Sequence, residues 1–144
     1  MEIREAKSKE EFLECWPVVS ELRPDLDQEQ YIVLILYMLD ENYRMLYIRE
    51  GDQVVAICGY RITTMLHRGR GLYIDDLATL TSARGKGFAS ALLRHLACEA
   101  AHDELHSIHL DSGPHRHQAH RLYLNHGYQI TDLHFEKKLD VKHI

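Results

Sequence analysis

The chain has 144 residues, 45% of them hydrophobic and 27% charged, with a formal net charge of −5. That length suits one core, so the expected organisation is a single domain over residues 1–144. The acidic balance argues against general nucleic-acid binding, which needs a basic surface, and the most apolar run, Tyr31–Leu39, is too short to span a bilayer.

Glu2 to Ala6 reads as a short first strand. Ser8 with Glu11 three residues on forms a capping box. The helix behind it buries Phe12, Cys15, Trp16 and Val19, and Pro17 is expected to end or kink it. Arg23–Asp27 is a loop. Asp27 caps a second helix to about Asn42, with Ile32, Ile35, Leu36 and Leu39 as its apolar stripe. The period then changes. Arg44–Glu50 and Gln53–Met65 are strands joined by a tight turn at Gly51-Asp52. A second turn, Arg68–Gly71, leads into a strand that ends at Leu80. A glycine-rich turn follows, then an amphipathic helix from Phe88 to about Glu104 with Leu92, Leu93, Leu96 and Ala100 on one face. Ser107–Asp111 is a strand. Arg116–His126 is a helix stopped by Gly127. Tyr128–Ile130 and Phe135–Leu139 close the series as strands. The order β-α-α-β-β-β-α-β-α-β-β predicts an α/β fold with a mixed, mostly antiparallel central sheet and flanking helices.

Cys15, Cys58 and Cys98 are far apart and form no CxxC pair, which fits a reduced compartment. No apolar leader opens the sequence, and the expectation is a soluble, cytoplasmic protein without membrane association.

The most informative stretch is Arg84-Gly85-Lys86-Gly87-Phe88-Ala89. It joins a strand to a helix, where free backbone N–H groups and the positive end of the helix dipole receive phosphate. Gly85 and Gly87 let an anion approach the backbone closely, and Arg84 and Lys86 add attraction. The spacing fits neither a Walker loop nor a dinucleotide fingerprint. A plain basic turn is the alternative that the hexapeptide alone leaves open.

The flanking sequence decides between them. Arg84-x-x-Gly87-x-Ala89 between strand and helix, followed about thirty residues later by Ala119-x-x-x-Tyr123 and Gly127-Tyr128, resembles the GCN5-related N-acetyltransferase (GNAT) superfamily. The order of elements matches along essentially the whole chain. Three departures stand out: Thr81 replaces a common proline, Arg116 a common asparagine, and the glutamate usual on the central strand is absent, with Asp75 and Asp76 in its region.

The resemblance implies acetyl-CoA as cosubstrate and acetyl transfer to a primary amine, on a small molecule or a protein, by direct attack. It places the pyrophosphate on the amides of Arg84, Gly85, Lys86, Gly87, Phe88, Ala89 and Ser90. It lays the pantetheine arm along Leu77, Ala78 and Thr79, with the Thr79 amide facing the thioester oxygen, and sets Arg116 near a CoA phosphate. Tyr123 becomes the candidate general acid for the departing thiolate; without the resemblance it reads as core packing. Asp75 is the candidate base. Adjacent aspartates point to opposite sheet faces unless a bulge intervenes, so only one is expected to face the acceptor. Glu21, Asp25 and Asp27 put acidic charge in a loop that helps shape the acceptor cleft in the family, which favours a cationic acceptor. His115, His117 and His120 lack a completing cysteine or carboxylate, so no metal site is expected. A non-catalytic acyl-CoA-binding module is the competing reading, and a homodimer is left open.

Overall fold

A computed structural model describes residues 1–141. The elements are β1 (Ile3–Glu5), α1 (Lys9–Leu22), α2 (Gln28–Leu39), β2 (Tyr43–Glu50), β3 (Gln53–Met65), β4 (Gly69–Thr79), a 3₁₀ turn (Thr81–Ala83), α3 (Phe88–His102), β5 (Ile108–Leu110) and α4 (His117–Asn125). One sheet runs in the order β1-β2-β3-β4-β5. Its first three pairings are antiparallel, and β4 and β5 are parallel. The α/β class with a mixed sheet therefore holds.

The first helices form for the reasons the sequence offers. Ser8 Oγ accepts from the Glu11 amide at 3.1 Å, and Asp27 and Gln30 complete a reciprocal capping box on α2. Pro17, however, does not stop α1, which continues to Leu22. The proline ring lies on the exposed face, while Cys15, Val18 and Val19 on either side of it are buried against the sheet. Tertiary burial outweighs the one lost backbone bond. The stripe of α2 is also narrower than its periodicity suggests. Tyr31 and Ile35 are buried, but Leu36 is 63% exposed and Leu39 is exposed too.

β3 is buried without interruption from Val54 to Tyr60, the pattern of a strand covered on both faces. α1 and α3 both pack on β3 and β4 and provide the two layers. Leu92, Leu93 and Leu96 of α3 are essentially inaccessible, as the predicted apolar face requires.

The two closing strands are not formed. From Gln129 to Val141 the chain makes no β pairing among the described residues, and Ile130, Leu133, Phe135 and Leu139 stand exposed. Alternating apolar residues specify a strand only when an edge accepts them, and among the described residues no edge pairs with them.

Candidate active site

The site begins where β4 and β5 part. β5 accompanies β4 only over Leu72–Ile74. Beyond that point β4 runs on to Thr79 with β3 on one side and no strand on the other. Asp75, Asp76, Leu77, Ala78 and Thr79 therefore border an open slot. A cavity of about 120 Å³ lies at its mouth, lined by Arg23, Asp75, Leu77, Ser112, Arg116 and Tyr123 among others.

The glycine turn lies at the end of β4, across the 3₁₀ turn. Gly85 and Gly87 have φ of +81° and +85°, the left-handed region where only glycine is unstrained, and a Cβ at either would meet nothing within 4 Å. The surface over them is thus open. The amides of Gly85, Lys86, Gly87, Phe88, Ala89 and Ser90 donate to no acceptor among the described residues, and no side chain caps α3. Six successive unpaired N–H groups at a helix N-terminus are the kind of donor set that can receive an anion. Lys86 is less free than its sequence suggests, because its Nζ lies 3.1 Å from Glu50 Oε1. Glu21 accepts from the Thr81 amide at 2.9 Å and its hydroxyl at 3.0 Å, which anchors the turn's approach.

Both central aspartates are engaged. The register shifts between Gly59 and Tyr60, so Asp75 is an extra residue bulged out of β4. Its carboxylate accepts two bonds from Arg61, at 3.0 and 2.8 Å. Asp76 accepts from Arg23 at 2.9 Å and from the Tyr43 hydroxyl at 2.7 Å. Gly59 makes the second contact possible, since a Cβ there would sit 1.7 Å from the Tyr43 oxygen. Burial pushes the Asp75 carboxyl above its ordinary range, against the pull of Arg61. Of the two aspartates, Asp75 is among the residues that line the cavity.

Tyr123 lines the same cavity from α4. Burial raises its phenol, and the ring of Tyr128 supports it at 5.9 Å. Its hydroxyl has no protein partner among the described residues. Arg116 sits at the α4 N-cap and also lines the cavity. His126 Nε2 lies 3.0 Å from Ser90 Oγ and ties the end of α4 to the start of α3. The structure thus brings Asp75, Leu77, Arg116 and Tyr123 to one cavity, with residues 84–90 at the far end of β4. Of the acidic loop residues, Glu21 bonds the turn and Asp27 caps α2, and all three of Glu21, Asp25 and Asp27 are exposed. No group of three or more His, Cys, Asp or Glu among the described residues is placed to hold a metal, and no helix there is long and apolar enough to cross a membrane.

Sequence reasoning missed Arg61, Arg23, Tyr43 and His126. They reach the site across 14 to 53 positions of chain, and no local pattern marks them.

Residues 7–128 match the model of the acetyltransferase (GNAT) family. The chain belongs to the GNAT family. It is 34% identical over 137 residues to an uncharacterized N-acetyltransferase, YhdJ, of Bacillus subtilis, covering 94% of this chain and 96% of that protein. Solved structures share the fold at lower identity. A transcriptional regulator from Bacillus halodurans aligns with a TM-score of 0.81 at 21% identity, over 96% of this chain and 99% of its own. A predicted acetyltransferase with acetyl-CoA from Clostridium acetobutylicum aligns at 0.72 and 21%, over 95% of each chain. The differing descriptions of these two neighbours show that the fold alone does not fix the chemistry.

Proposed function

We propose that this GNAT protein is an acetyl-CoA-dependent N-acetyltransferase acting on a primary amine by direct attack. The observation that carries the reading is the run of six unpaired amides, Gly85 to Ser90, beside the open flank of β4. A diphosphate fits the first and a peptide-like pantetheine arm the second. Arg116 lines the cavity beside Leu77 and Tyr123 and adds positive charge there. Acetyl-CoA supplies the activated acyl group as a thioester. The chain's own residues do the rest. The backbone N–H of Thr79, which the antiparallel alternation turns away from β3, donates toward the thioester oxygen as charge develops there. Tyr123 protonates the departing sulfur. The amine proton passes toward Asp75, through water, because Arg61 occupies both carboxylate oxygens.

Free-thiol release from acetyl-CoA, measured with a panel of small amines and peptide N-termini, tests this. Release with at least one acceptor is the expected result. Tight acetyl-CoA binding with no release from any acceptor would favour a binding module instead.

The Asp75 role has its own test. Asp75→Asn should lower kcat/KM by about 10²-fold, the low end for a positioned base, since the carboxylate is shared with Arg61. Asp75 accepts protons only when ionised, and burial raises its folded pKa. Activity should therefore fall as pH drops through that raised value, and the acid limb should vanish in Asp75→Asn. An unchanged acid limb would assign it to another group.

A further inference from the structure

The cavity beside β4 carries both signs of charge. Arg23 lines it from the end of α1 and Arg116 from the start of α4, while Asp75 lines it from β4 and Asp111 from just past β5. Asp75 is held by Arg61. Asp111 Oδ2 accepts from the Tyr73 hydroxyl at 2.7 Å. Arg23 donates to Asp76 through Nε and Nη2, and Nη2 also donates to the Asp75 carbonyl at 3.0 Å. Its Nη1 makes no hydrogen bond among the described residues, so one end of a fixed guanidinium stays available. Arg116 is exposed, and its side chain has no ion pair or hydrogen bond among the described residues. Ser112 stands on the same wall, and its Oγ is buried without a partner among the described residues. A ligand with an acceptor oxygen would account for that hydroxyl.

The donors left unspent at the cavity are therefore two guanidiniums and a hydroxyl. Resting on the acetyltransferase reading, we propose that the acceptor is a free α-amino acid whose carboxylate is received by Arg23 and Arg116. A guanidinium matches a carboxylate with paired N–H donors. Spacing favours an α-amino acid. Arg23 is bonded to the backbone of Asp75 itself, so the cation and the proton acceptor are neighbours. An α-amino acid likewise carries its amine and its carboxylate on one carbon. Size agrees. The cavity of about 120 Å³ is well under the roughly 300 Å³ at which pockets for drug-sized ligands begin. A peptide N-terminus has an amide where the amino acid has its carboxylate, and would leave the Arg116 charge unanswered. Glu21, Asp25 and Asp27 do not line this cavity, so the acidic loop does not oppose an anion inside it.

Thiol release from acetyl-CoA, with each standard α-amino acid measured against its α-carboxamide, tests the proposal. At least one amino acid should exceed its carboxamide in kcat/KM by roughly 10- to 100-fold, the reach of a hydrogen-bonded charge. Arg116→Gln should remove most of that preference and leave KM for acetyl-CoA unchanged. Release with carboxamides, plain amines or peptides that matches or exceeds release with every amino acid would overturn the proposal, while the acetyltransferase reading stands. So would an Arg116→Gln enzyme that keeps the preference; a raised KM for acetyl-CoA in that enzyme would assign the arginine to the cosubstrate.

No release from any acceptor would sink the acetyltransferase reading instead. Calorimetric titration of the same pairs into CoA-saturated protein then decides the carboxylate site. Tighter binding of an amino acid than of its carboxamide sustains it, and equal or absent binding overturns it.

Discussion

Tyr123→Phe should lower kcat by roughly 10²- to 10⁴-fold, the range for a positioned acid, with little change in KM for acetyl-CoA. The phenol is on the cavity wall and makes no hydrogen bond among the described residues, and its ring stays packed against Tyr128 in the variant. Phenylalanine keeps that packing and removes the proton alone. The pH profile supplies an independent readout. Burial lifts the Tyr123 phenol above the ordinary tyrosine value of about 10. A general acid works only while protonated, so activity should persist through neutral pH and fall on the alkaline side, above that ordinary value. The variant should lack this limb. Retained kcat in Tyr123→Phe would leave the sulfur to be protonated by water and remove the residue from the chemistry.

The sequence made the scaffold legible because its signals there are local. The N-cap at Ser8, glycines at the turns and the Phe88–Ala100 stripe each depend on neighbours a few residues apart, and each appears where expected. The left-handed glycines of the turn after β4 were readable for the same reason. Other features depend on groups far apart in the chain. The bulge at Asp75 arises from the pairing of β3 with β4, and the arginines that hold the two aspartates come from β3 and from the end of α1. Nothing in Ile74-Asp75-Asp76-Leu77 states that both carboxylates will be paired. Pro17 shows propensity yielding to burial. The tail shows the reverse: the right alternation, from Leu133 to Val141, with no strand paired to it among the described residues.

Gly87→Val should weaken acetyl-CoA binding far more than it slows the chemistry of bound substrate. At φ +85° a β-branched side chain is strained, at a cost of about 1–3 kcal/mol if the conformation is kept. If the turn relaxes instead, the amides of Gly87, Phe88 and Ala89 no longer converge on one anion. Either way the side chain enters the open space above the turn, where the diphosphate is placed. KM for acetyl-CoA should rise by one to two decades, about 1.4–2.8 kcal/mol of lost binding. At saturating acetyl-CoA kcat should change little, because Tyr123 and Asp75 are elsewhere in the fold. Steady-state kinetics alongside thermal unfolding separates the outcomes. A lower melting temperature with unchanged KM would mean that the strain is real but no phosphate sits on the turn. Equal losses of kcat and KM in both Gly87→Val and Tyr123→Phe would undo the separation of an anion-binding turn from a proton-donating helix.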